Sequence, residues 1–439
     1  MQEGLEAAAI GAGKAQGAAA RPASQRAMQR RAVVAASLGN ALEWFDFTVF
    51  SFFAVLIGKL FFPVEGEYGS LLLSLATFGI GFVMRPLGSV VIGNYADRAG
   101  RKPALTLTIG LMALGTAIIG LAPTYAQIGI AAPLLIVAGR LLQGFSAGGE
   151  VGAATSFLME SGTRANRGFM VSWQMAGQGA SALAGALCGA LLTRGLAPEA
   201  LESWGWRVPF LLGLMIGPVG FYIRRHLDET HSDHARERSA FAEVLRGHGR
   251  ALLLGTLLIL GGTASMYVVV FYMPSYLVKM AHMPPATSLL AGCAAGATLL
   301  VLSPLAGWLA DRLPRRKPLL LAVSLLSLLV VWPAFSAVQG QPSLATVLAV
   351  VVGLVALLST SSPAGFLLIM ESFPRKVRAT GLAIVYASGV TLFGGFAQFI
   401  VTWLLKLSGD PMAPAWYMLG CSAVSFAALL AFREQAAAD

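Results

Sequence analysis

Five ionisable side chains stand inside stretches that are otherwise apolar: Glu43, Asp46, Arg85, Arg140 and Glu150. An ionised group near the centre of a bilayer costs at least ~2.5–3.5 kcal/mol, so each calls for a partner or a water-filled cavity. Glu43 and Asp46 are three residues apart and share a helix face with Asn40 and Phe47. At ~1.5 Å of rise per residue, Glu43 lies roughly 15 Å from the end of its span nearest the termini, and Arg85 and Glu150 roughly 13 Å from theirs. Those three are expected at one depth, with Arg85 as the buried charge partner. Asp46, Gln143 and Arg140 follow progressively deeper. Three carboxylates against two arginines leave one negative charge, which one proton neutralises. Two readings stand. Either Asp46, with Glu43 and Glu150 behind it, couples proton movement to the protein's cycle, or the five form a static network holding three helices together. Arg140 also has two readings: a bidentate contact for an anionic solute, or a permanent bridge to Asp46.

The elements that must position these residues are membrane helices. The chain has 439 residues, 56% hydrophobic and 12% charged, with a mean hydropathy of +0.71. A soluble domain carries roughly 25% charged residues, so one large water-soluble globule is excluded. Residues 103–139, 251–278, 318–370 and 379–405 hold no Asp, Glu, Lys or Arg, and each meets the roughly 20 residues needed to cross the hydrocarbon core. Twelve spans are expected, at 33–62, 69–94, 103–122, 128–158, 168–193, 206–225, 251–279, 286–310, 318–336, 343–371, 379–406 and 414–432. The fold class is therefore an all-α polytopic membrane protein. Alternating the loops places 24 Lys and Arg on the side of the termini, 5 on the other and 2 within spans. By the positive-inside rule both termini are cytoplasmic. The net charge of +10 is thus a topology signal with anionic-lipid contact, and no nucleic-acid partner is expected.

Polar uncharged residues supply the remaining handles. Asn40, Gln143, Gln174, Gln178, Tyr272, Tyr276 and Tyr386 are candidate solute contacts beside Arg140. Tyr272 and Tyr276, like Gln174 and Gln178, share a face at i, i+4. Tyr267, Ser359 to Ser362, Thr391 and Gln398 are further polar positions of the second half. Interhelical packing is the competing reading for each. Cys188, Cys293 and Cys421 are isolated in apolar spans and read as packing residues. His226, His231 and His234 accompany a charged segment without metal-ligand spacing. That spacing gives no reason to expect a metal, and with no P-loop present direct ATP coupling has no support, so no cofactor is expected.

The chain repeats itself. Gly93 to Pro103 recurs at Gly307 to Pro318, and Met159-Glu160-Ser161 recurs at Met370-Glu371-Ser372, with offsets of 214 and 211 residues. Two parallel six-helix repeats follow. The expected layout is a disordered basic tail 1–32, a first half 33–225, a linker 226–250, a second half 251–432 and a tail 433–439. The repeated charges lie at the helix ends of the cytoplasmic side, where they can pair across the halves and meet helix dipoles. Asp97, Arg98 and Arg101, Asp311 and Arg312, Glu160 and Arg164, and Glu371 and Arg375 are accordingly read as gating residues.

Gly93 to Pro103, between the second and third spans, resembles the loop signature of the major facilitator superfamily, and Arg140-Leu-Leu-Gln143-Gly144 its fourth-helix arginine motif. Gly39 to Phe47, Arg85 to Gly88, Gly144 to Glu150, Ser172 to Gln174 and Trp204 to Phe210 resemble the metabolite:proton symporter family within it. Glu67 to Leu73, Phe78 to Arg85, Ser172 to Gln178 and Lys406 to Asp410 are most similar to the citrate and tricarballylate carriers, although Trp44 stands where those carry glutamine. The resemblance implies twelve helices in the major facilitator fold, in the cell inner or plasma membrane. It also implies proton-coupled uptake of a small organic carboxylate of the citrate kind by alternating access. The alternative is a dicarboxylate such as α-ketoglutarate, or a zwitterion such as proline or betaine. Solute, protons and lipids are the expected partners, with no obligate protein partner. An enzyme is not expected, because the spans hold no histidine. A sensor would need a long soluble output domain, which the 32- and seven-residue tails are not expected to provide.

Overall fold

The computed structural model describes residues 23–64, 66, 68–99, 101–148, 150–163, 165–215, 217–218, 243–340, 342–374 and 376–434. Among them the chain forms helices and no strand. Helix α1 (Ala23–Phe52) begins earlier than expected, so residues 23–32 are helical and not a disordered tail. Their Ala, Gln, Arg and Met residues are strong helix formers, which accounts for the extension. A 65° bend separates it from α2 (Ala54–Phe61). Next come α3 (Gly69–Ala99) and α4 (Arg101–Leu121). The expected continuous span 128–158 is broken into α5 (Ala131–Ser146) and α6 (Glu150–Ser161). Gly148 in the break lies against the α3 backbone at Arg85 and Ser89, where a Cβ would collide.

The first half continues with α7 (Arg167–Gly195) and α8 (Arg207–Gly213). The second opens with α9 (Gly249–Ser265), which runs through a π-turn at Met266–Tyr272 into α10 (Met273–Met280). Then follow α11 (Pro285–Arg312), α12 (Lys317–Gly340) and α13 (Leu344–Glu371). Helix α14 (Arg378–Val390) passes through a second π-turn at Thr391–Gly395 into α15 (Ala397–Ser408), and α16 (Ala413–Ala431) is last. Among the described residues, eight helices are long and apolar enough to cross a membrane, or nine if α1 and α2 make one span. Residues 226–242 of the expected linker lie outside the described ones, and 243–247 are helical.

Glycine sets the closest approaches. A Cβ on Gly144 of α5 would collide with the Gly81 carbonyl of α3, so these helices cross backbone to backbone. The halves meet in the same way along α7 and α11. A Cβ on Gly179 would fall 2.6 Å from the Leu300 nitrogen and 2.8 Å from the Gly296 carbonyl. Small residues allow such contact where lipid gives no hydrophobic drive for helices to associate. At the terminal side, Gly168 and Gly307 form the last close crossing. Glu434 fastens the chain end there, accepting from the amides of Arg316 (2.6 Å) and Lys317 (3.3 Å) at the start of α12.

Replacing Gly144 with Ala should therefore force α3 and α5 apart. The expected loss is about 1–3 kcal/mol, the usual cost of overpacking, read as a lower melting temperature in detergent. The same change at Gly110, which meets nothing within 4 Å, should leave the melting temperature unchanged.

Candidate functional site

Asp46, Gln143 and Arg140 form one hydrogen-bonded unit between α1 and α5. Gln143 Nε2 donates to Asp46 Oδ2 and, at 3.0 Å, to Thr116 Oγ1 of α4. The Thr116 hydroxyl spends its own proton on the Met112 carbonyl at 3.0 Å, so it must accept from Gln143. That fixes the amide orientation, and Gln143 Oε1 accordingly accepts from Arg140 Nη1 at 2.9 Å. Arg140 Nη1 also stands 3.9 Å from Asp46 Oδ2. Of the two readings of Arg140, the geometry matches the bridge to Asp46. Asp46 Oδ1 accepts no hydrogen bond among the described residues and faces Gly213 of α8.

The two arginines are held by aromatic faces. Arg140 is fully buried, its guanidinium carbon 3.7 Å from the Phe50 ring centroid and 5.4 Å from that of Phe47. The Arg85 carbon lies 4.2 Å from Phe82, 5.1 Å from Phe47 and 5.6 Å from Trp44. Cation–π contacts of this kind contribute ~2 kcal/mol or more once desolvated. Phe47 thus stands between the two charges. Glu43 is buried on the same helix, within electrostatic reach of Tyr386. Glu150 begins α6, and its side chain lies outside the described residues.

Beside this array, mostly within the second half, is a cavity of about 1110 Å³ including its open mouth. Trp44, Met175 and Gln178 reach it from the first half. Tyr267, Tyr386 and the serines Ser265, Ser324, Ser327, Ser361, Ser362, Ser422 and Ser425 line it from the second. Leu320, Ile369 and Leu429 line its terminal-side end, and among the described residues no charged side chain lines it. Among the candidate solute contacts, Gln178 and Tyr386 belong to this wall; the other six do not. Asn40 and Gln174 bond each other, Gln174 Nε2 donating to Asn40 Oδ1 at 3.0 Å. Tyr272 accepts from Thr402 at 2.7 Å, while Tyr276 donates to the Pro411 carbonyl at 2.8 Å and accepts from Gln339. Arg140 and Gln143 are taken up by Asp46.

Both ends of the bundle are bridged between the halves. Opposite the termini, Ser51 of α1 donates to Gln398 Oε1 at 2.8 Å, and Tyr68 donates to Met280 at 3.3 Å. On the terminal side, Asp311 caps α7 across the interface, accepting from Gly168 N at 2.6 Å and Phe169 N at 2.8 Å. The carboxylate there also meets the positive end of the α7 dipole. Arg316 binds Glu371 at 2.5 Å, and Arg312 lies 3.6 Å over the Trp308 ring. The side chains of Asp97, Arg98, Arg101 and Glu160, and residues Arg164 and Arg375 entirely, lie outside the described residues.

Sequence reasoning missed the Trp44 wall and the serines of α12 and α16. Ser324 and Ser327, and Ser422 and Ser425, are spaced i, i+3 in apolar helices. That spacing was the available signal, though a lone hydroxyl in a span usually bonds its own helix, as Ser327 does to the Val323 carbonyl.

A family model described as the Major Facilitator Superfamily matches residues 36–397 and 284–438. The citrate-proton symporter of Salmonella typhi is 37% identical over 408 residues, covering 92% of this chain and 93% of that protein. That of Klebsiella pneumoniae is 37% identical over 403 residues, with 91% and 89% covered. The proline/betaine transporter of Salmonella typhimurium is 33% identical over 422 residues, with 93% and 84% covered. Among solved structures, a D-xylose-proton symporter superposes with a TM-score of 0.75 at 18% identity, over 92% of this chain and 98% of that one, which shows the fold.

The Asp311 cap sets a test of the terminal-side seal. Asp311→Asn should weaken it by about 0.5–2 kcal/mol, the range for losing a helix cap, and raise the labelling rate of a cysteine placed by Ser362→Cys. Equal labelling with and without Asp311→Asn would show that the cap holds nothing shut.

Proposed function

This chain belongs to the Major Facilitator Superfamily, and we propose that it takes up a small organic carboxylate of the citrate kind together with protons, by alternating access. It is a multi-pass membrane transporter. The observation that carries the proposal is the pairing of a sealed, ion-paired carboxylate with a solute-sized cavity across one aromatic wall. The two citrate-proton symporters that it resembles over most of their length support the solute class.

In this reading Asp46 is the proton-coupling residue, with Glu43 and Glu150 in support. Its Oδ2 is held by Gln143, while Oδ1 has no hydrogen-bond partner among the described residues. A proton can add at Oδ1 without breaking the Gln143 bond. Once neutral, Asp46 no longer holds Arg140 by charge, and the guanidinium shifts its weight to Gln143 and the Phe50 face. Phe47, one residue from Asp46 and in contact with both arginines, passes that shift to Arg85 and the Trp44 wall. Binding and protonation then bias one equilibrium between the two seals.

The terminal side, rich in Lys and Arg, is the cytoplasmic one by the positive-inside rule. Asp311 and its α7 cap then form the inner gate, with Arg312, Glu371 and the Asp97, Arg98, Arg101, Glu160, Arg164 and Arg375 set of the sequence motifs around it. The Ser51–Gln398 and Tyr68–Met280 bonds belong to the outer gate. The second reading, a proline or betaine carrier, is favoured by the similarity to the proline/betaine transporter and by the absence of any charged side chain among the described residues of the cavity wall.

Two measurements in proteoliposomes test the proposal. An inward proton gradient should accelerate and concentrate radiolabelled citrate, a protonophore should abolish the concentrative part, and a sodium gradient alone should do nothing. Sodium-driven, pH-indifferent uptake would refute proton coupling. Asp46→Asn, mimicking the protonated carboxyl, should keep citrate counterflow while losing proton-driven accumulation. If it still accumulates solute, Asp46 is not the coupling site.

A further inference from the structure

The cavity wall contains a set of buried donors that no described residue satisfies. Trp44 Nε1, Gln178 Nε2 and the Tyr267 hydroxyl are all buried, all three residues line the cavity, and none of these atoms has a partner in full hydrogen-bond geometry among the described residues. The Gln178 side chain also lies beside the Tyr386 hydroxyl, which can take one of the two amide protons and leaves the other unmatched. An indole N–H and an amide N–H₂ are donors only, so what they lack is an acceptor. Leaving such donors unmatched in a desolvated place is costly, which points to a ligand oxygen as their native partner.

The rest of the wall speaks to the remainder of that ligand. Beyond the donors run seven serines, Thr263 and apolar side chains such as Val323, Leu354 and Phe366. Among the described residues no Lys or Arg lines the cavity. Arg85 does not line the cavity but stands behind its wall, 5.6 Å from the Trp44 ring centroid and within electrostatic reach of Tyr267 and Tyr386. Arg140 is committed to Gln143 and Asp46. One carboxylate can be matched by the neutral donors with Arg85 behind them. A second or third ionised carboxylate along the serines would lose its hydration with no cation in return.

We propose that the solute binds in this cavity with one ionised carboxylate on Trp44, Gln178 and Tyr267 and its uncharged part along the serines, and that it therefore travels as a monoanion. This rests on the carboxylate-transport reading above and deepens it. A citrate-like solute enters with its other carboxyls protonated, and hydroxylated monocarboxylates of similar size compete for the same place.

Competition for binding on purified protein in detergent, without any gradient, tests this directly. At pH 7.5 citrate is almost wholly ionised, whereas citrate dimethyl ester carries a single carboxylate and the same hydroxyl. The monoanionic ester should displace radiolabelled citrate at a concentration at least tenfold below that of unlabelled citrate. Trp44→Phe, which keeps the ring and removes the N–H, should weaken ester binding about tenfold. Ser327→Leu with Ser361→Leu, which fills the cavity, should abolish it at an unchanged melting temperature.

Citrate competing as well as its ester would overturn the single-charge assignment on the unmodified protein, whatever the variants do. Unaltered ester binding in the folded Leu variants would overturn the location. Proteoliposome uptake run in parallel separates the two levels. Failure of the unmodified protein to take up any carboxylate removes the transport reading. Normal uptake with undisturbed binding in the filled cavity removes only this inference.

Discussion

An ion pair inside an apolar solvent has to be completed by the protein, and the Asp46–Gln143–Arg140 unit shows how much of the fold that completion recruits. Asp46 comes from α1, Gln143 and Arg140 from α5, and Thr116 from α4. The Phe50 and Phe47 rings cover the guanidinium, and Phe82 of α3 covers the second one. Removing water makes each contact strong and makes an incomplete set expensive. Four helices of the first half are consequently fixed around one charge pair. The second half holds no comparable charge in its spans and is held by hydroxyls, aromatic contacts and small-residue crossings. This asymmetry divides the labour: one half stores charge, and the other shapes the space beside it.

Movement between the halves is then governed by weak, separable bonds. The seal opposite the termini rests on a serine–amide bond and a tyrosine–thioether contact. The terminal-side seal rests on a carboxylate capping a helix. Each is worth about 1–2 kcal/mol, of the order by which a bound solute or proton can shift a conformational equilibrium. The glycine crossings of α7 and α11 differ in kind. They have no directional bond to break, and their smooth surfaces let the halves roll against each other while remaining in contact.

Much of this was legible beforehand. Charge-free stretches located the spans because lipid excludes ions, and the repeated motifs gave the two-fold internal plan. The confinement of all five buried charges to the first, second and fourth spans was visible as well. Depth alone did not give the partners. Counting 1.5 Å per residue fixes height along a helix but not its rotation, and α5 and α6 are broken where one continuous span was expected. Arg140 was left between solute and Asp46, and the geometry places it against Asp46. The cavity donors escaped for another reason. Trp44 has nothing in its local sequence to separate a wall from a packing face, and the i, i+3 spacing of Ser324 and Ser425 with their partners fits either, since only the neighbours brought by the tertiary fold decide which face is left open.

The π-turns at Met266–Tyr272 and Thr391–Gly395 carry a consequence for how such a protein diversifies. An α-helix advances 100° per residue, so the extra residue in a π-turn rotates everything beyond it by about that angle. The stretch of α9 before its turn is thereby aimed at the cavity and α10 beyond it at the opposite seal, two faces that a continuous helix would have locked in phase. Substitutions on one side are decoupled from the fit of the other. Residues that shape the cavity can then change one at a time while the closure opposite the termini keeps its own fit.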